Sequence, residues 1–383
     1  MRTADVLVIG AGVLGTFHAY FAARKGYKTL LLERNTLPND ASTRNFGMIA
    51  QSIAEGGAWS EYARATAEIY RQIQAEWDIS ARPTGSLYVA STELEARVLH
   101  EFADRAAPRY SCSYLDAAEV RYRYPFVRES YGAAALLFPD DLTVEPTRML
   151  RQLLPYSERT APVEYVPNTT VVSVARSGQG CLATDAAGRT YAADRVIVCG
   201  GAEYRTLFPE RLAASGLRLC KLQMLQTVPQ KGFSLPHALL SGLSIKRYPA
   251  FKICPSYAAL QEQQADDHRI GEYGIHLLFR QAADGSVVVG DSHEYRELGE
   301  AAGLEERTSP AINEAILGYG RGMIELPSWE IASLWNGYYL LHPEREIFTE
   351  TMDRRIHIVT GIGGKGTTTG AGFSRAHIDL LLG

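Results

Sequence analysis

The sequence predicts a mixed α/β (α+β) protein: a Rossmann-type parallel layer, and a second domain with an antiparallel sheet interrupted into it. Three observations predict it. A mostly apolar run, Asp5-Val6-Leu7-Val8-Ile9, meets Gly10-x-Gly12-x-x-Gly15. A second short run, Thr29-Leu30-Leu31-Leu32, ends on the acid Glu33. Buried-strand patterns of the same kind return far downstream, separated by blocks whose apolar residues alternate or follow a helical period.

Each part of the first unit has a physical job. Residues 5–9 read as a buried parallel strand, residues 13–25 as the following helix, and Thr29–Leu32 as the next strand. Gly10 permits the tight turn, Gly12 lets backbone approach a pyrophosphate, and Gly15 lets the helix pack on the strand. The helix N-terminus offers unpaired N–H groups and the positive end of its dipole to phosphate, with Leu14 in that first turn. Glu33, 18 residues past Gly15, stands where an adenosine ribose donates its hydroxyls.

After Arg34 the chain runs through Ser42-Thr43-Arg44-Asn45-Phe46-Gly47-Met48-Ile49 rather than into another βαβ unit. Trp59, Tyr62, Thr66, Ile69, Ile73 and Trp77 at helical spacing mark a core-facing helix over 56–78. Pro146 starts a helix through Leu154. An extended run at Thr170-Val171-Val172-Ser173-Val174 precedes hairpin strands at Cys181–Asp185 and Thr190–Ala193. A buried strand at 195–199 then ends on Gly200-Gly201. Strand-like stretches at 217–228, 276–281 and 286–290, and a helix from Pro310 to Leu317, build the second domain. The chain closes with strand Ile356–Thr360, the loop 361–372, in which six of twelve residues are glycine, and an apolar helix over 373–382. Residues 1–80, 141–209 and 331–383 are thereby assigned to the nucleotide-binding domain, and 81–140 and 210–330 to the second.

Composition excludes other classes. Hydrophobic content of 46% and charged content of 21% over 383 residues are those of a globular protein with room for about two to three units. A net charge of −4 gives no basic footprint for nucleic acid or an anionic membrane. No apolar stretch approaches the roughly 18 residues that a membrane span needs. The five scattered cysteines lack metal or redox spacing and read as free thiols of a cytoplasmic protein, and the nine histidines are dispersed.

The Gly10–Gly15 unit, the strand ending Gly200-Gly201-Ala202 and the closing Gly361-Ile362-Gly363-Gly364-Lys365-Gly366-Thr367-Thr368-Thr369-Gly370-Ala371-Gly372 together resemble the FAD-dependent D-amino-acid oxidase / sarcosine oxidase / glycine oxidase superfamily, over the whole length. Thr43–Ile49, Val289-Gly290-Asp291-Ser292-His293 and Gly364-Lys365-Gly366 resemble a subgroup associated with phosphonate breakdown. The resemblance implies a D-amino-acid-oxidase-like fold and non-covalent FAD, because the relatives' covalent link uses a cysteine in the last third and the last cysteine here is Cys254. It implies cofactor contacts from Gly10, Gly12, Leu14, Gly15, Glu33, Arg34, Ser42, Thr43, Asn45, Gly47, Met48, Val172, Gly200, Gly201 and from Gly361, Ile362, Gly363, Gly364, Lys365 and Gly366.

The chemistry implied is hydride transfer from the carbon beside an amine nitrogen to the flavin, then imine hydrolysis, which needs no catalytic base. The substrate would be a small acidic amine, in the subgroup an aminoalkylphosphonate such as N-methyl-2-aminoethylphosphonate. Arg44, Asn45, His293, Tyr338 and Lys365 are the candidates for its site, an arginine fork suiting carboxylate and phosphonate alike. His276 with Arg280, the triplet Lys246-Arg247-Tyr248 and the pair Tyr338-Tyr339 are further candidates for the wall, while His18 reads as packing. The relatives carry an oxygen-activating lysine on the strand matching Val287-Val288-Val289, where this chain has valine, so oxygen and another electron acceptor both stand. A glycine, sarcosine or D-amino-acid oxidase, a flavin-dependent dehydrogenase and a non-enzymatic flavin-binding module remain the alternatives.

Overall fold

A computed structural model describes residues 1–54, 56–106, 110–263, 267–304 and 307–383. The predicted first unit is present: strand Arg2–Ile9, helix Val13–Arg24 and strand Thr29–Leu32. Strand Arg2–Ile9 lies between two parallel neighbours, Thr29–Leu32 on one side and Thr190–Val198 on the other. The sheet continues through Val163–Val166 at one edge and through Ile356–Thr360 and Phe348–Met352 at the other. The predicted strands Thr190–Ala193 and 195–199 are one continuous strand. It pairs parallel with Arg2–Ile9 from Tyr191 to Val198; on its other side the first half pairs antiparallel with Gly180–Asp185 and the second half parallel with Ile356–Thr360.

Turn geometry follows from side-chain absence. Gly10 has φ +95°, and a Cβ there would stand 2.3 Å from the Cys199 carbonyl oxygen. A Cβ on Gly15 would stand 1.8 Å from the Gly10 oxygen. Any side chain at either position pushes the helix off the sheet.

A second, nine-stranded sheet holds Ser86–Ala90, Ser113–Asp116, Ala134–Phe138, Arg218–Thr227, Ala238–Leu240, Leu278–Gln281, Val287–Gly290, Glu294–Glu297 and Ile331–Leu341. It is antiparallel except where Ala238–Leu240 runs parallel to Ser86–Ala90. Strand Ile331–Leu341, expected in the first unit, instead pairs along its length with Arg218–Thr227 of the second sheet.

Two predicted helices are longer than expected, Pro146–Thr160 with its proline at the first position and Pro310–Met323. The closing helix also begins earlier, at Gly366, so the second half of the expected glycine loop is helical. Its glycines serve close packing there: a Cβ on Gly372 would stand 2.4 Å from the Tyr62 carbonyl oxygen on helix Gly57–Glu76. Trp59 stacks on Phe373 across the same interface, with ring centroids 5.7 Å apart. Among the described residues no helix is long and apolar enough to cross a membrane. The five cysteines are unpaired.

Candidate active site

Two cavities share a wall and form one channel between the sheets. The larger, about 530 Å³, and the smaller, about 140 Å³, are both lined by Gly12, Ala41, Ser42, Cys199, Gly201 and Thr360. The smaller one reaches Glu33, Arg34, Val171 and Gly200 at the ends of the parallel strands. The larger one passes Leu14, Gly15, Asn45, Gly47, Met48 and the whole run 361–368, then opens onto the second sheet. A separate depression of about 420 Å³ around Arg176, Phe208 and Met352 has no glycine among its lining residues, and the helix that starts there, Pro209–Ala213, is only five residues long.

A long cofactor with a charged middle fits this channel on several counts. Helices Val13–Arg24 and Gly366–Leu382 both begin on it, and first-turn amides have no partner in their own helix. Ser42 Oγ accepts from the Val13 amide at 3.0 Å, leaving the Leu14 and Gly15 turn facing the cavity. At the far end Glu33 is buried, its Oε2 accepting from the Ala11 amide and its Oε1 from the Asn35 amide. Carboxylate oxygens each accept more than one hydrogen bond, so a diol remains accommodated. The acid thus has a second role that the motif does not announce: it pins the glycine turn.

Several expected positions are corrected by where their side chains go. Arg44 does not line the channel; it donates to the Asn336 carbonyl at 3.1 Å and braces the loop against strand Ile331–Leu341. Thr43 likewise bonds the Asp40 carbonyl and stays off the channel. Asn45 does line it, but its amide is engaged in the loop, donating to the Ala41 carbonyl and accepting from the Gly47 amide. Val172 is 43% exposed, and its neighbour Val171 faces the smaller cavity, because alternation along a strand puts only one of the two inward. Alternation also decides the tyrosine pair: Tyr338 packs with the cluster of Leu217 and Leu340, whereas Tyr339 lines the channel. Arg34 lines the smaller cavity while paired with Asp40 and Glu203. Lys365 lines the larger one, but its ammonium pairs with Glu346 and lies 4.8 Å above the Trp59 ring, so its charge is neutralised locally.

Of the further candidates, Lys246 bonds the Gln263 carbonyl away from the channel, and Arg280 is tied to Glu145 and the Phe46 carbonyl. His18 is buried packing, bonded to His377 at 2.9 Å. Arg247, Tyr248, His276, His293 and Tyr339 do converge on the channel, joined by Asp291 and by Tyr295, which no motif singled out. Arg247 donates to Tyr295 Oη at 3.1 Å and has no ion-pair partner among the described residues. The two histidines are neutral: burial pushes His293 down to about 3 against the pull of Asp291, and holds His276 well below its usual value. Burial raises the Asp291 carboxyl, whose Oδ1 is buried without a hydrogen bond, 3.6 Å from His276 Nδ1 and 3.7 Å from His293 Nδ1. The wall facing the glycine loop therefore offers one guanidinium with no direct ion pair among the described residues, the Asp291 carboxyl whose charge acts on it, two neutral imidazoles and several phenols.

A family model described as FAD dependent oxidoreductase matches residues 5–380. A glycine oxidase of Bacillus licheniformis is 26% identical over 214 residues, 54% of this chain and 56% of that protein, so the chain spans about half the length of this curated relative. The crystal structure of glycine oxidase from Geobacillus kaustophilus superposes with a TM-score of 0.77 at 15% identity, covering 99% of this chain and 95% of that one. L-proline dehydrogenase from P. horikoshii superposes with a TM-score of 0.78 at 15% identity, covering 100% and 94%. These two superpositions establish the shared fold.

Proposed function

We propose, for a chain that belongs to the family of FAD-dependent oxidoreductases, that the channel oxidises the C–N bond of a small amine carrying an anionic end. Arg247 carries the reading. Its guanidinium faces the cavity without a direct ion pair among the described residues, and its planar fork suits a carboxylate or a phosphonate. Bound FAD would be held by the Gly10–Gly15 turn, Glu33, the Ser42–Met48 loop and residues 361–368, and would supply the acceptor for a hydride from the carbon beside nitrogen. The chain's own residues then bind and orient. Arg247 fixes the anionic end, with Tyr295 and Tyr339 beside it. His276 and His293, being neutral, add no second cation to that wall. The apolar lining of Phe46, Met48, Leu222 and Leu278 limits the water around the reacting carbon.

The finer reading is an aminoalkylphosphonate, such as N-methyl-2-aminoethylphosphonate going to phosphonoacetaldehyde and methylamine. It is supported by the subgroup motifs, since Asn45, Gly47, Met48, Asp291, His293, Gly364, Lys365 and Gly366 line the one channel. Anaerobic bleaching of bound flavin tests both levels. Bleaching by any small anionic amine supports the broader reading. Faster bleaching by the phosphonate than by sarcosine, glycine or D-alanine supports the finer one, and the reverse order overturns it.

A dehydrogenase passing electrons to another acceptor is a second reading, favoured by one observation: Val287, Val288 and Val289 are buried where an oxygen-activating lysine is expected. Stoichiometric peroxide release with substrate decides for oxygen.

A further inference from the structure

The hydrogen bonds of His293 fix which of its nitrogens is free. Its Nδ1 lies 3.1 Å from the Gly274 carbonyl oxygen, and a carbonyl can only accept, so Nδ1 carries the hydrogen. The ring is neutral, so Nε2 is left with a bare lone pair. No described residue bonds that nitrogen, and the ring lines the larger cavity. His276 is not equivalent, because its Nε2 is already 2.8 Å from Ser244 Oγ. Asp291 strengthens the acceptor: its buried Oδ1 stands 3.7 Å from the Nδ1–H and draws that hydrogen's positive charge. Tyr295 stacks on the ring at a centroid distance of 6.1 Å and bonds Arg247, which puts acceptor and anion site on one wall.

We propose that His293 Nε2 is the hydrogen-bond acceptor for the substrate's amine N–H, making His293 the residue that restricts the cleft to primary and secondary amines. The inference rests on the amine-oxidising reading above and names how its nitrogen is recognised. An isosteric ether presents a lone pair to a lone pair at this point, so it binds weakly whatever its anionic end.

The test uses the FAD-loaded protein and two matched pairs of probes: sarcosine with methoxyacetate, and N-methyl-2-aminoethylphosphonate with 2-methoxyethylphosphonate. Binding is read by calorimetry, and turnover separately by anaerobic bleaching. Wild type is expected to bind the preferred amine roughly tenfold or more tighter than its ether, the worth of one hydrogen bond and the unpaired acceptor it leaves. His293→Gln can place an acceptor where Nε2 stood and is expected to keep most of that ratio. His293→Asn can keep the bond to Gly274 but has nothing at Nε2, and its ratio is expected to fall towards one. Equal binding of amine and ether by wild type overturns the inference, as does full discrimination in His293→Asn. Should neither variant load FAD, the wild-type pairs alone decide it. If wild type binds and is bleached by neither amine, the amine-oxidising reading falls and takes this inference with it, an outcome distinct from equal binding with bleaching intact.

Discussion

The backbone amide of Ala11 donates to Glu33 Oε2 at 2.9 Å, tying the end of the second strand to the turn between Gly10 and Gly12. The acid that would hold the ribose thus also shapes the phosphate turn. Glu33→Ala is expected to weaken FAD binding by about 1–3 kcal/mol, the worth of hydrogen bonds to a charged acceptor. Titration of the apoprotein with FAD checks this, and full occupancy at low micromolar flavin removes Glu33 from the site.

The flavin is expected to be non-covalent and to leave with heat or acid. Cys199 is the one cysteine lining the channel, and burial pushes its thiol well above the usual range, so no thiolate is on hand to bond a ring. Yellow colour that stays with the precipitated polypeptide contradicts the prediction.

The two arginines should separate in kinetics. Arg247→Lys is expected to raise KM for the anionic amine at least severalfold, because an ammonium cannot reproduce the guanidinium fork. Arg44→Lys is expected to leave KM alone and cost about 1 kcal/mol of stability, through the lost bond to the Asn336 carbonyl. The reverse pattern returns the anion site to the Arg44 loop.

Asp141 gives a stability dependence of unusual sign. Its carboxyl accepts from the Gln51 amide and Ser86 Oγ, yet burial pushes it up to about 7 from 3.8. The folded chain therefore keeps its proton where the unfolded chain has lost it. Stability from this group is whole below pH 3.8 and drains away as pH rises to 7, by up to about 4 kcal/mol. Asp141→Asn retains both partners without the charge, so it is expected to melt above wild type at pH 8 and to keep less than half of that advantage at pH 5. Parallel melting curves at the two pH values check it.

Local chemistry made the first strand, helix and second strand readable, because glycine spacing and a terminal acid are properties of adjacent residues. The same reasoning found the 361–368 run but not its helical half, since Gly370 and Gly372 are set by contact with Val13 and Tyr62, which lie hundreds of positions earlier. The substrate wall was harder. Arg44 and Arg247 look alike in sequence, and only the pairing of strand Ile331–Leu341 with the second sheet turns Arg44 away towards Asn336. Tyr338 and Tyr339 differ by one step of alternation, whose phase is fixed by the register Cys220↔Tyr339. Tyr295 was missed because it matters through its bond to Arg247, 48 positions earlier, although its ring partner His293 is only two residues away.

Strand Thr190–Val198 sits between strand Arg2–Ile9 and strand Ile356–Thr360, and helix Gly366–Leu382 packs on both Val13–Arg24 and Gly57–Glu76. During synthesis, the sheet edge and helix faces left by those early segments stay uncovered until residues 348–382 emerge from the ribosome. At about 5–20 residues per second that interval lasts on the order of tens of seconds, long enough for chaperones to engage the nascent chain.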